Sequence, residues 1–330
     1  MHKQRNHSFD VLKLLCALLV CILHTGNAPF NIFEPITRIA VPIFFMISGF
    51  YLFSVDKEIM SSRLQKSTYK IIKIFCWSTI FWGINDLYKI IFVNGFSSYS
   101  VFNWYDIFLF NENPVAFHLW YISAYIYVLI FFLFLNKYGK YNSLYIITIF
   151  ILLLTVPLFS KYCKLIWGQP INELYIRNWL FTGIPYFGLG TIISKYKNIL
   201  LFKNLWLWSF FTIVFAISSL IERNGFNVEH DANLYLSTPL LAFSVFILFR
   251  IINTNQNILS KWGEKYSLYI YIFHPLFMRL LESQYVQGFF CIKYTIGFFV
   301  FVLTIIFCMT LLSYKSLFNY IKKLIIKHDE

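Results

Sequence analysis

Long uncharged runs, broken at intervals by charge clusters and by Gly, Pro and Asn, dominate the pattern of this chain. They divide it into ten candidate helices, over about 9–28, 36–54, 70–92, 116–135, 143–159, 177–194, 201–221, 234–252, 266–283 and 290–314. Each approaches the roughly 20 residues that a helix needs to cross a bilayer. Runs such as 144–159 are apolar on every face and do not alternate as the strands of a membrane β-barrel do. The expected fold is therefore all-α, a polytopic membrane helical bundle of about ten transmembrane helices forming a single domain over 1–330. Between the third and fourth candidates, residues 101–108 interleave aromatic and polar side chains as a short helix lying flat at the interface would.

Composition narrows the picture further. Of 330 residues, 58% are hydrophobic and 13% charged, with a mean hydropathy of +0.63; soluble domains carry roughly 25% charged residues, so a soluble enzyme is excluded. The net charge of +13 does not call for a nucleic acid. An even number of spans puts both termini on one side, and a cytoplasmic N-terminus places twenty of the 28 Lys and Arg inside, the bias that sets orientation in membranes. Lys3 and Arg5 before an apolar stretch imitate a secretory signal. However, His24-Thr25-Gly26-Asn27 offers no small-residue cleavage site and Lys13 interrupts the run, so the segment reads as a retained helix. The six cysteines are scattered without metal-ligand spacing, and no metal is expected. Only Cys163 and Cys291 fall in loops expected outside, where one bridge is open to them.

Ionisable groups inside a span are costly, so each marks a candidate site. Asp10, Lys13 and His24 fall within a sector of roughly 60° on the first helix, with Lys13 and His24 separated by about 16 Å of rise. Two readings stay open: a polar stripe along a water-accessible cavity, or a snorkelling lysine with an interfacial histidine. Arg38, four residues before Pro42 and expected level with His24, either grips a carbonyl or carboxylate through paired donors or anchors the interface. Lys66, Lys70 and Lys73 share one face at the inner start of the third helix, suited to the phosphates of a nucleotide-like ligand or to anionic headgroups. His118 and Trp120 open the fourth helix, where aromatic belts are common. Asp86 with Lys89, and Arg279 with Glu282, are spaced to pair. His274 stands before Pro275, within reach of a carbonyl that proline frees.

Phe9-Asp10-Val11-Leu12-Lys13, His24-Thr25 and Arg38-Ile39-Ala40-Val41-Pro42-Ile43-Phe44-Phe45-Met46-Ile47-Ser48-Gly49-Phe50 resemble the opening of the acyltransferase 3 family of integral membrane acyltransferases. His118-Leu119-Trp120-Tyr121 and Ser267-Leu268-Tyr269-Ile270-Tyr271-Ile272-Phe273-His274-Pro275 resemble later segments of that family, and the chain is also similar to the membrane half of the serine racemases tied to vancomycin resistance. The resemblance implies a membrane O-acetyltransferase of a bacterial cytoplasmic membrane. Its donor would be acetyl-coenzyme A or a related acyl-coenzyme A, and its acceptor a hydroxyl of a surface glycan or glycolipid, with the lipid bilayer as the other partner and no nucleic acid. The family's basic residue, ten positions and histidine read here as Lys13 and His24. Its two arginines at the third helix are replaced by Lys70-Ile71-Ile72-Lys73, which keeps the charge but loses the planar fork. On this resemblance His24 and Arg38 are the catalytic pair and Lys13, Lys70 and Lys73 hold the donor phosphates, with Asp10, His118, Trp120 and His274 in support. A transporter or flippase of lipid-linked glycans, and a silent scaffold, remain open as other classes; no internal repeat supports the transporter.

Overall fold

The computed structural model describes residues 6–24, 33–89, 104–113, 115–139, 141–160, 162–169, 171–198, 204–225, 234–252, 254–281 and 295–313. Among these the chain is helical and contains no strand. In chain order the helices are α1 (His7–His24), α2 (Glu34–Thr37), α3 (Ala40–Leu52), α4 (Lys57–Lys89), α5 (Trp104–Phe110), α6 (Trp120–Tyr138), α7 (Ser143–Ser160), α8 (Cys163–Trp167), α9 (Ile184–Lys195), α10 (Leu205–Gly225), α11 (Ser237–Ile251), α12 (Ile258–Leu281) and α13 (Thr295–Ser313). A 3-10 turn, Phe117–Leu119, leads into α6, and a π-helical segment, Trp179–Gly183, into α9. By length and composition, five stretches among the described residues can cross a membrane: His7–His24, Glu34–Leu52, Phe117–Tyr138, Leu205–Gly225 and Thr295–Ser313. Ser143–Phe159 and Ser237–Ile251 are shorter apolar helices.

Several boundaries differ from those read in the sequence. The third and ninth helices were expected from 70 and 266, but α4 begins at Lys57 and α12 at Ile258. Hydropathy registers only the apolar part of a helix, whereas its start is decided by the cap. The Asp56 carboxylate accepts the backbone N–H groups of Glu58 and Ile59 at 2.9 and 3.1 Å. Asn257 and Ser260 bond reciprocally, each backbone N–H to the other's side-chain oxygen, at 2.9 and 2.8 Å. The range 36–54 also divides, since α2 ends at Thr37 and Arg38 with Ile39 forms a turn before α3. A helix does occupy the expected interfacial segment, with Tyr105, Phe108 and Leu109 of α5 exposed; residues 101–103 lie outside the described residues. The Cys163 thiol is free, and Cys291 is outside them too.

The chain divides into two compact units, Met1–Thr37 with Asn253–Glu330, and Arg38–Ile252. In the first, α1 packs along α12. The contact needs Gly263, because a Cβ there would overlap the carbonyl oxygen of Asp10. Absence of a side chain thus lets the two backbones touch, as small residues do between membrane helices. Ser260 and Ser267, buried on the same face of α12, extend this narrow surface. In the second unit α3 packs on α9 by the same device used twice, Gly49 under the Phe187 carbonyl and Gly190 under that of Met46. There α4 packs on α6 and α10 on α11. Glu222, near the end of α10, accepts the backbone N–H groups of Leu236 and Ser237 and the Tyr162 hydroxyl, all at 2.8 Å, so a carboxylate sits at the start of α11 where the helix dipole favours it.

The start of the π-helical segment is held by buried Asn178. Its side-chain oxygen accepts from Leu180 N and Phe181 N at 3.0 and 2.9 Å, and its amide donates to the carbonyls of Leu174 and Tyr175 at 3.1 and 2.9 Å. Asn178→Ala leaves four part-buried backbone groups without these partners. It is expected to cost roughly 2 kcal/mol, measured as a lowered unfolding midpoint of the detergent-solubilised protein; an unchanged midpoint would mean that the cap does not hold this turn.

Candidate functional site

In the first unit α1 begins under an Asn6 cap, whose side-chain oxygen accepts Ser8 N at 2.9 Å. The Ser8 hydroxyl accepts Thr254 N at 3.0 Å, tying the start of α1 to the approach to α12. One turn on, the Lys13 ammonium donates to the Asp10 carboxylate at 2.8 Å, realising the i,i+3 pair. The other carboxylate oxygen lies 3.8 Å from Nδ1 of His7, a neighbour that the sequence reading missed. Asp10 is 2% exposed, with Lys13 and His7 of α1 beside its carboxylate and Gly263 of α12 under its carbonyl. A carboxylate this buried persists because a cation bonds it directly.

At the far end of α1, His24 stacks on His274 of α12, with ring centroids 5.2 Å apart and planes inclined by 30°. His274 is buried, and its orientation follows from the local sequence. Proline lacks an N–H, so Pro275 cannot bond the carbonyl four residues earlier, that of Tyr271. His274 Nδ1 takes that place at 2.8 Å. A carbonyl oxygen only accepts, so the imidazole donates through Nδ1. His24 and His274, distant in sequence, are brought together, and Asp10 and Lys13 are joined on the same helix as His24.

In the second unit Arg38 is partly buried in the turn before α3 rather than inside a helix. Lys66, Lys70 and Lys73 stand on the exposed side of α4, the Lys73 ammonium 4.3 Å from the centre of the Tyr69 ring. The buried line of α4 runs instead through Met60, Leu64, Ile71, Ser78 and Trp82. His118, buried on the 3-10 turn, meets the Trp82 ring edge-on at 4.8 Å. Trp120 is buried at the start of α6 and its carbonyl accepts the Asn111 amide at 3.2 Å.

Arg177 was overlooked as a candidate. It donates to Glu173 at 2.7 Å, and its guanidinium lies 4.9 Å from the Phe117 ring and 5.2 Å from that of Trp120. The i,i+4 spacing of Glu173 and Arg177 was the available signal. Nearby in the loop after α5, burial first and then the Asp106 charge push the Glu112 carboxyl upward, while Arg177 opposes them. The side chain of Lys89 and all of Glu282, expected to pair with Asp86 and Arg279, lie outside the described residues.

A family model described as an acyltransferase domain, that of the acyltransferase 3 family, matches residues 6–314. An amino-acid racemase of Enterococcus faecalis is 27% identical over 313 residues, covering 85% of this chain and 42% of that protein. A serine/alanine racemase of Enterococcus gallinarum is 24% identical over 296 residues, covering 82% and 40%. The chain thus spans about two fifths of the length of these relatives. No solved structure matches it significantly.

Proposed function

The chain belongs to the acyltransferase 3 family, and on that premise we propose that it is a multi-pass O-acyltransferase of the bacterial cytoplasmic membrane. In this reading about ten helices span the bilayer with both termini cytoplasmic. The donor is cytosolic acetyl-coenzyme A or a related thioester, and the acceptor is a hydroxyl of a surface or lipid-linked glycan. The observation that carries it is one helix with a paired lysine near one end and, eleven residues on, a histidine stacked on a second histidine. A neutral imidazole takes a proton well near pH 7, because its ordinary pKa is about 6.5. His24 removes the acceptor hydroxyl proton as that oxygen bonds the thioester carbon. The carbon–sulfur bond breaks, and His24 returns the proton to the departing thiolate. Arg38 steadies the negative charge that builds on the carbonyl oxygen. Lys13, Lys70 and Lys73 hold the donor's phosphates, with Asp10 fixing Lys13, while Trp120 packs on Arg177 and His118 on Trp82 in support.

Purified protein given isotope-labelled acetyl-coenzyme A and a cell-envelope extract tests this. Label transferred to glycan supports it, whereas glycan movement without transfer points to a transporter. L-serine and L-alanine offered to the same preparation check the racemase activity that the relatives' names carry. Lys70→Gln or Lys73→Gln, both on the exposed side of α4, removes a charged bond of about 1.5–3 kcal/mol, so the donor KM is expected to rise roughly tenfold or more with kcat little changed. An unaltered donor dependence in both variants would leave these lysines a role in topology alone.

A further inference from the structure

The pairing of His24 with His274 goes beyond a base held on one helix. His274 belongs to α12, is 1% exposed, and is fixed at two edges: Nδ1 donates to the Tyr271 carbonyl at 2.8 Å, and its face lies against His24 at 5.2 Å. The first restraint is built into the chain, because Pro275 supplies no N–H to that carbonyl and the preceding histidine replaces it. The ring plane of His274 is therefore set by the backbone of its own helix. His24 sits at the end of α1, the helix packed along α12, with its ring against that of His274.

We propose that His274 is the positioning residue of His24: a ring locked to the α12 backbone sets the plane of the imidazole at the end of α1. It rests on the reading of His24 as the base and adds the element that aims it. Proton transfer demands a narrow geometry, and catalytic side chains are held in it by neighbours whose own rotamers are fixed. The proline, the freed carbonyl and the stacked ring together form such a support, donated by a helix remote in sequence.

Two substitutions separate positioning from mere packing. His274→Asn carries an amide N–H close to where Nδ1 lies, so it can still satisfy the Tyr271 carbonyl, but it has no ring for His24 to rest on. His274→Phe keeps a flat ring and loses the lock. Both are expected to lower kcat roughly tenfold or more while the donor KM stays within about twofold. A readout free of turnover accompanies this: the rate at which diethyl pyrocarbonate modifies His24, followed by mass spectrometry on the full-length protein without substrates. Released from the stack, His24 is expected to react several-fold faster in His274→Asn. A folded variant of either kind with wild-type His24 reactivity and wild-type kcat overturns the proposal, and if one variant does not fold the other is read alone. Should the wild type transfer no acyl group, the reactivity of His24 still decides the positioning role, and only its reading as the base is lost.

Discussion

Replacing His24 by Ala is expected to abolish acyl transfer while the protein remains folded. Alanine is a good helix former, so the substitution removes the ring stacked on His274 and keeps the backbone of α1. A positioned general base contributes typically 10²–10⁴-fold, and a fall of that size in kcat, with donor binding retained, is the expected measurement. His24→Gln, which keeps polarity but cannot take the proton, is expected to match Ala rather than the wild type. Turnover within a few-fold of wild type in either purified, monodisperse variant would remove His24 from the reaction and leave its pairing with His274 as packing.

Gly263→Val carries the largest expected effect on the fold. A Cβ at this position would overlap the Asp10 carbonyl oxygen and stand 3.3 Å from the Leu14 Cβ. Both obstacles belong to a helix whose backbone bonds are already made, so neither can turn aside as a long side chain would. Overpacking costs typically 1–3 kcal/mol, and here relief requires α1 to move off α12 altogether. That separation also parts His24 from His274 and exposes the Asp10–Lys13 pair to a new environment. The expected result is loss of the monodisperse peak in size-exclusion chromatography, with Gly263→Ala intermediate. A Val variant that elutes and melts as wild type would mean that α1 and α12 are not in contact here.

Some of this site was legible along the chain because helical geometry alone decides it. A period of 3.6 residues puts Asp10 within reach of Lys13, whatever surrounds them, whereas the Glu173–Arg177 pair was missed because it forms at a 3-10 turn and not along an α-helix. Proline's missing N–H likewise directs His274 toward a carbonyl of its own helix. The starts of α4 and α12 were missed because a cap of one or two polar residues extends a helix through charged sequence that hydropathy discounts. The exposed placement of Lys70 and Lys73 follows from which side of α4 carries the apolar line, Leu64 and Ile71 being buried; equal spacing of lysines places them on one face without telling which face turns inward.

The amino-acid sequence by itself determined that this is a multi-pass helical membrane protein of the acyltransferase 3 family, and it singled out the charge pair and the histidine of α1. Those properties are local, written in runs of apolar residues and in offsets within one helix. Tertiary structure alone decided that α1 lies against α12, that Gly263 admits the Asp10 carbonyl where a side chain would not fit, and that His24 meets a histidine 250 positions away. The physical reason is that many membrane helices are apolar on every side, so hydropathy does not choose their neighbours. Shape does, through the few small residues that let two backbones come together.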